Sequence, residues 1–126
     1  MSKINNIKIA KYFYLYEFQC PCCKRVILHS DLLKRLSSLR EAINRPIYIN
    51  SGYRCKEENE EVGGVKGSFH KLGMATDIWA KDISILDLAI YAKGVGFNGI
   101  GKYKNFLHLD VRDTRDIWVG TTNTNL

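Results

Sequence analysis

The sequence lacks any long hydrophobic run, and its first ten residues lack the continuous apolar core of a secretory signal. No apolar segment approaches the roughly 18 residues that a membrane-spanning helix needs. The pattern of the 126 residues also contains no repeat, no linker and no second domain. We therefore expect one domain over residues 1–126, made as a soluble cytoplasmic monomer, with a polar tail at 120–126.

The charge balance is positive, with 19 Lys and Arg against 13 Asp and Glu and a net charge of +6. Such a balance attracts polyanions, including nucleic acid, anionic membranes and anionic cell-wall polymers. The basic residues are scattered, however, and only Lys34-Arg35 and Lys102/Lys104 approach a cluster. Because no arginine-rich stripe and no nucleic-acid-binding motif is present, we expect no nucleic-acid partner.

The four cysteines are distributed unevenly, since Cys20, Cys22 and Cys23 stand together and Cys55 is distant. Without a secretory signal, the simplest interpretation is buried or reduced thiols. The cysteines also allow a disulfide between Cys55 and one of the other three, or a structural zinc site. Their spacing matches no standard zinc knuckle, in which the ligands come in two pairs. The sequence leaves these alternatives open.

The hydrophobic pattern predicts helices and strands in alternation. An N-cap at Ser30 opens an amphipathic helix, and a second helix runs from Ser84 to Gly94. The buried face of the first helix is marked by apolar residues at spacings of four, three and four, which are Leu32, Leu36, Leu39 and Ile43. A short charged helix is predicted over 56–62, and strands are predicted at 47–49, 74–80, 99–103 and 106–111.

Histidine is scarce, and two of the three histidines stand in one pattern with aspartates. His70 lies in a glycine-rich loop, Asp77 follows in the next strand, and His108 and Asp110 share one face of the last strand. Two imidazoles and a carboxylate form the three-ligand set of a catalytic zinc site, which keeps a fourth position for water. Such a zinc activates its water and polarises a carbonyl for amide hydrolysis. The alternative is two unrelated surface histidines and an ordinary strand aspartate.

The surroundings of these residues form an ordered series of short motifs. The motifs are Ser51-Gly52-Tyr53-Arg54, Asn59 with Val62-Gly63-Gly64, Ser68 to Ile78, Gly99-Ile100-Gly101 with Tyr103, and Phe106 to Asp110. From about Phe18 to Trp118, this series resembles the M15 family of zinc peptidases, the D-alanyl-D-alanine carboxypeptidase and peptidoglycan endopeptidase group. It looks most like the small single-domain branch of that family.

The resemblance implies an α+β fold with a central antiparallel sheet flanked by helices. It implies a zinc ion held by His70, Asp77 and His108. It also implies hydrolysis of an amide bond in the stem peptides or cross-links of peptidoglycan. With no export signal and no appended wall-binding module, the chain resembles the catalytic part of a phage lysin or a prophage wall enzyme. We expect it to reach the wall after release, or by export along another route.

Roles for further residues follow from their positions in the family pattern. The resemblance assigns Arg54 to contact with the substrate carbonyl or carboxylate, as a rigid guanidinium fork permits, and Ser68 to substrate binding. Many members carry an acidic base three residues before the last zinc histidine, where this chain has Asn105. Because an amide accepts no proton at neutral pH, we expect Asp110 to be required, either to activate water or to orient His108.

Two other functions remain open at this point. One is a wall-binding module that keeps the fold and the zinc but has lost activity with the acid replaced by Asn105. The other is a basic nucleic-acid binder whose structural zinc is held by cysteines. The second would show steeply salt-dependent DNA affinity and would keep its metal without His70 and His108.

Overall fold

The architecture comes from a computed structural model that describes residues 4–120. The predicted polar tail at 120–126 therefore lies, apart from Gly120, outside the described residues. The helices within 4–120 are α1 (Ser30–Ile43), α2 (Lys56–Glu61) and α3 (Ile85–Gly94), with short 3₁₀ helices at Leu15–Phe18 and Phe69–Leu72. The strands are β1 (Lys8–Ala10), β2 (Phe13–Tyr14), β3 (Ile47–Ser51), β4 (Ala75–Ala80), β5 (Gly99–Lys102), β6 (Leu107–Asp110) and β7 (Asp116–Val119).

Five of these strands form the central sheet in the order β3-β4-β6-β5-β7, and β1 and β2 form a separate hairpin. The first four strands of the sheet pair antiparallel, whereas β7 pairs parallel to β5. The α+β class expected from the resemblance is confirmed, and β7 makes the sheet mixed. The sequence pattern did not predict β7, because its residues are mostly exposed and show no burial alternation.

The first helix buries the face that the apolar spacing predicted, with Leu32, Leu36 and Leu39 almost fully inaccessible. It begins one residue earlier than expected. His29, and not Ser30, is the N-cap, and its Nδ1 accepts a hydrogen bond from the Asp31 amide at 3.2 Å. The helix packs on α3, which covers β5 and β6.

The two faces of the sheet carry different chemistry. Leu107 and Leu109 point into the core with Ile78, as the alternation of β6 predicted. The other face of the same strands carries Asp77 and His108, which stand directly opposite each other in the antiparallel register of β4 and β6. A slip of one residue would move both side chains to the core, so the burial of the leucines fixes the polar face.

Within residues 4–120, no helix is both long enough and apolar enough to cross a membrane.

Candidate active site

The local structure around His70 fixes where its ring points. The Ser68 hydroxyl caps the 3₁₀ helix Phe69–Leu72 and accepts a hydrogen bond from the His70 amide at 3.2 Å. Gly73 ends this helix in the left-handed region at a φ of 70°, and a side chain there would collide with the Ile27 carbonyl. The glycine-rich loop therefore delivers His70 to the polar face of the sheet.

The three sequence-predicted zinc ligands converge in the structure. His70 Nε2 lies 3.2 Å from Asp77 Oδ1, and His108 Nδ1 lies 3.0 Å from the same oxygen. All three donor atoms are within 4.8 Å of one another. The residues are buried, with relative exposures of 0% for His70, 3% for Asp77 and 1% for His108. The arrangement is a metal site formed by a loop and two adjacent strands.

In each histidine ring, the partner of the outer nitrogen, which faces away from Asp77, determines whether the inner nitrogen, which faces Asp77, is a donor or an acceptor. His70 Nδ1 lies 2.8 Å from the Gly52 carbonyl, which only accepts, so Nδ1 carries the proton. His108 Nε2 lies 2.7 Å from the Asp110 carboxylate and carries its proton for the same reason. When a ring is neutral in this tautomer, its inner nitrogen directs a lone pair at the oxygen of Asp77. Three acceptor atoms that face one another in this way could hold a cation between them, and this nitrogen and oxygen set suits zinc.

The second oxygen of Asp77 is held by Arg54. The guanidinium donates from Nη2 to Asp77 Oδ2 at 3.2 Å, and it donates from Nε to the Ser51 hydroxyl at 3.0 Å. Arg54 is only 3% exposed and also contacts the Asn59 amide oxygen at 3.4 Å. Burial opposes the charged form of Asp77, but the two histidines outweigh it and lower the pKa of this carboxyl. The ligand therefore stays anionic.

Asp110 lies behind His108 and is clamped by Arg112. The Arg112 guanidinium donates to both carboxylate oxygens, at 2.8 Å from Nε and 2.7 Å from Nη2. Burial acts to raise the pKa of Asp110, but the hydrogen bonds from Arg112 and His108 lower it to about 2. Burial acts to lower the pKa of His108, but the bonds to Asp110 and Asp77 raise it. Asp110 is thus a charged acceptor, and it keeps the outer nitrogen of the His108 ring as the donor.

A glycine on the neighbouring strand leaves the room for this clamp. Gly99 stands opposite Asp110 in the register of β5 and β6. A methyl group at Gly99 would overlap the Asp110 carboxylate. The close approach of the strand backbone to a buried charged pair therefore requires glycine at this position.

The structure adds residues that the sequence did not single out. Arg112 stacks between the rings of Phe69 and Trp118, with its Cζ 4.8 Å and 5.0 Å from their centroids. Trp118 is fixed by a hydrogen bond from its Nε1 to the Tyr103 hydroxyl at 3.0 Å. Alternation continued beyond β6 would have placed Arg112 on the face of His108. Trp118 had no such signal, because it lies on the unpredicted strand β7.

A cleft of about 290 Å³ opens beside the metal site. It is lined by Ser68, His108, Arg112, Asp116 and Trp118, among others. Ser68, expected from the resemblance to bind substrate, is thus in the wall of this cleft. An aromatic and basic wall of this kind offers a carboxylate partner and an apolar face to a peptide.

Two further positions lie away from this cleft. Arg54 lines a separate cavity of about 220 Å³ together with Asp77, Glu58 and Phe106. Asn105, at the usual acid position of the family, is exposed in the turn between β5 and β6.

The sequence profile of the family described as Peptidase M15 matches residues 11–110 of the chain. The chain belongs to the peptidase M15 family. The resemblance found in the sequence is confirmed, and with the His70, Asp77 and His108 site it makes zinc the expected cofactor of a metallopeptidase.

Curated relatives agree with this assignment. The chain is 32% identical over 92 residues to the peptidoglycan L,D-endopeptidase MepK of Escherichia coli (strain K12), covering 68% of this chain and 50% of the relative. It is 36% identical over 67 residues to the zinc D-Ala-D-Ala carboxypeptidase of Streptomyces albus G, covering 52% of this chain and 26% of the relative. The chain spans about half the length of the first of these relatives and about a quarter of the length of the second.

Proposed function

We propose that this protein hydrolyses an amide bond in the stem peptides or cross-links of bacterial peptidoglycan with the help of a bound zinc ion. The observation that carries the proposal is the convergence of three lone-pair donors, His70, Asp77 and His108, beside an open cleft. Relatives named for peptidoglycan endopeptidase and D-Ala-D-Ala carboxypeptidase activity support the substrate class.

The chain's own residues form the support of this site. A zinc ion held by the three ligands supplies Lewis-acid polarisation of the scissile carbonyl and lowers the pKa of a water molecule toward neutrality. Gly52 and Asp110 fix the tautomers of the two rings through their outer nitrogens, and Arg54 holds the second oxygen of Asp77. Such backing keeps the donor atoms in place and raises the basicity of the rings.

We assign Asp110 a positioning role. Its two oxygens bind Arg112 and the outer nitrogen of His108, on the side of the ring away from Asp77. A carboxyl with a pKa of about 2 is a weak proton acceptor at neutral pH, where an efficient base titrates closer to 7. Asp110 therefore orients His108, and another group receives the proton of the attacking water.

For that proton acceptor we propose Asp116. Among the described residues that line the cleft with His108, Asp116 is the acidic one. Its side chain is 60% exposed and lies 3.3 Å from Arg112 Nη1, so the carboxylate borders the space where a peptide would enter. In this proposal, Asp116 replaces the acid that other family members carry at the position of Asn105.

The residues that line the two cavities support a proposal for the substrate contacts. Ser68 and Arg112 line the cleft, and we propose that they hold the peptide through its carbonyl and carboxylate groups. Arg54 lines the neighbouring cavity, and we propose that it meets a substrate carbonyl or carboxylate there while it holds Asp77. Action on the wall after release or export by another route, and the monomeric state, stay predictions.

Digestion of purified peptidoglycan, followed by mass analysis of the released fragments, tests the proposal. The zinc-loaded protein is expected to release peptides, and a chelator is expected to stop the release until zinc is restored. His108→Ala serves as the matched protein control. Release that continues in the presence of chelator, or with His108→Ala, would contradict the zinc mechanism, and the fragment masses identify the bond.

A second candidate is a wall-binding module without activity, which is favoured by the exposed Asn105 at the family's acid position. This candidate predicts that the zinc-loaded protein sediments with purified peptidoglycan but releases no peptide from it. Peptide release that disappears in Asp116→Asn would exclude this candidate.

A further inference from the structure

A second group of metal-ligating side chains lies outside the active site. Cys20, Cys22 and Cys23 occupy the turn after the first 3₁₀ helix, and Cys55 is the N-cap of α2. Their sulfur atoms all lie within 4.8 Å of one another. Cys55 Sγ is 3.1 Å from Cys22 Sγ and 3.5 Å from Cys20 Sγ, and Cys20 Sγ is 3.5 Å from Cys22 Sγ. Residues more than 30 positions apart therefore meet sulfur to sulfur.

The turn is shaped to bring its cysteines to one point. The Cys20 amide donates to the Arg25 carbonyl at 2.8 Å, and the Lys24 amide donates to the Cys20 carbonyl at 2.9 Å. Lys24 takes a left-handed φ of 64° directly after Cys23. Cys20 and Cys23 thus have the Cys-x₂-Cys spacing of a zinc-binding turn, with Cys22 as an additional cysteine inside it.

Backbone amides point at the sulfurs as they do at thiolate ligands. The Cys55 amide lies 3.5 Å from Cys20 Sγ, and the Glu58 amide lies 3.4 Å from Cys55 Sγ. Donors of this kind stabilise the negative charge of a thiolate that binds a metal and hold the ligand in place. Cys20 and Cys55 are buried, Cys23 is partly exposed and Cys22 is exposed, so the cluster is open to an entering ion on one side.

We propose that Cys20, Cys22, Cys23 and Cys55 bind a structural zinc ion as four thiolates. Four sulfurs about 2.3 Å from a central ion stand about 3.8 Å apart, which small side-chain adjustments of the observed cluster supply. A disulfide would join two of the sulfurs and leave the other two crowded beside it, whereas a four-sulfur site uses all of them. With no position left for water, such a site is structural.

The position of this site allows a bound ion to stabilise the segment that carries Arg54. Cys55 follows Arg54 directly, and Arg54 holds the ligand Asp77. The turn at Cys20 follows Phe18, whose carbonyl accepts a hydrogen bond from the Tyr53 amide at 2.8 Å. An ion bound by Cys20 and Cys55 would therefore join the two segments a second time, just beyond this contact, and fix the segment that carries Arg54.

Metal counting on the 126-residue chain tests the proposal independently of any hydrolytic activity. After loading with zinc and removal of free metal under reducing conditions, we expect about two ions per chain. The variant H70A/H108A should retain about one ion, at the cysteine site, and the variant C22S/C23S should retain about one ion, at the histidine site. Replacing Cys22 and Cys23 leaves the buried Cys20 and Cys55 intact, so this variant should fold.

Cobalt substitution of the unmodified protein supplies a second readout that needs no variant. Cobalt held by thiolates gives sulfur-to-metal charge-transfer absorption, which the His70, Asp77 and His108 site lacks. We expect this absorption in the unmodified protein and in H70A/H108A, and its loss in C22S/C23S. Loss of the ion should also lower the Tm by about 10 °C in the presence of zinc.

Two results would overturn the proposal. One is about one ion per chain in the reduced unmodified protein and no ion in H70A/H108A. The other is a mass deficit of two hydrogens with protected thiols, which would show a disulfide in place of a metal. Because the cysteine site is counted by metal and spectrum, a failure of peptidoglycan hydrolysis leaves this result unaffected.

Discussion

The two ligand clusters of this molecule differ in where the fold puts them. Asp77 and His108 lie on the central sheet, His70 lies in the 3₁₀ helix beside it, and all three are at most 3% exposed. The cysteine cluster lies on a surface turn, and Cys22 is exposed. The first cluster has three nitrogen and oxygen donors beside a cleft, and the second has four sulfur donors.

The two clusters also differ in the hydrogen bonds that hold their ligands, and this difference agrees with a catalytic site and a structural site. The histidines are fixed by side-chain and carbonyl partners behind each ring, which leaves the front of the site open toward the cleft. The sulfurs of Cys20 and Cys55 are approached by backbone amides, and the cysteines face one another. An open set of three ligands suits catalysis, and a closed set of four suits structure.

The largest expected effect separates the two clusters. His108→Ala removes one of three donors, and we expect hydrolysis of peptidoglycan to fall about a thousandfold, since metal catalysis supplies several kcal/mol. The zinc held by the cysteines should remain. Zinc content and fragment release measured on the same preparation check both statements. Full hydrolysis by His108→Ala would place the catalytic metal elsewhere.

Asp116→Asn tests the proposed proton acceptor in the cleft separately from the metal ligands. We expect kcat to fall about 100-fold, the range for loss of a general base, while zinc content stays unchanged. Asp113→Asn is the matched control, because Asp113 is an exposed aspartate of the segment just before β7. Equal rates for the two variants would remove Asp116 from the mechanism.

Asp110→Asn should act through the metal ligand. The amide keeps the shape of the carboxylate but loses the charge that His108 and Arg112 hold, so we expect zinc affinity and kcat to fall about 10- to 100-fold together. Zinc titration against a competing chelator, alongside kinetics, measures both quantities. A lower kcat with unchanged zinc affinity would indicate that Asp110 is the base.

Gly99→Ala tests the space that the clamp needs. A methyl group would overlap the Asp110 carboxylate, and we expect the free energy of unfolding to fall by about 1–3 kcal/mol with weaker zinc binding at the histidine site. Gly94→Ala is the control, because a methyl group there meets nothing within 4 Å and Gly94 lies in α3. Chemical denaturation of both variants gives the comparison, and equal stability would show that Asp110 moves aside freely.

The smallest effect on hydrolysis is expected from the cysteine turn. C22S/C23S leaves the three ligands of the histidine site and Arg54 unchanged and removes only the ion that would fix the Arg54 segment, so kcat on peptidoglycan should fall by no more than about threefold at a temperature where both proteins are folded. A large loss of kcat with normal zinc at the histidine site would mean that this turn reaches the substrate.

Much of the site could be predicted from local patterns. The alternation of β6 placed His108 and Asp110 on one face, and the spacing of Leu32, Leu36 and Leu39 gave the buried face of α1. The scarcity of histidine drew attention to the ligand set, and the resemblance of the motif series to the M15 family implied it. The roles proposed for Arg54, Ser68 and Asp110 stay predictions until the variants are measured.

Long-range pairing escaped prediction. β7 pairs parallel to β5 and carries Asp116 and Trp118 into the cleft, and no periodicity marks its exposed residues. Capping by His29 in place of Ser30 rests on a ring nitrogen that the usual cap preferences do not favour. The meeting of Cys55 with Cys20 depends on the packing of two segments distant in the chain.

By itself, the sequence determined which residues share a face and which side chains are able to bind a metal, because local periodicity and side-chain chemistry are properties of short segments. The tertiary structure alone decided that Asp77 stands opposite His108, that Asp110 is bound by Arg112, and that the cysteines form one cluster. These contacts depend on strand register and on packing between distant segments, which no short stretch of sequence encodes.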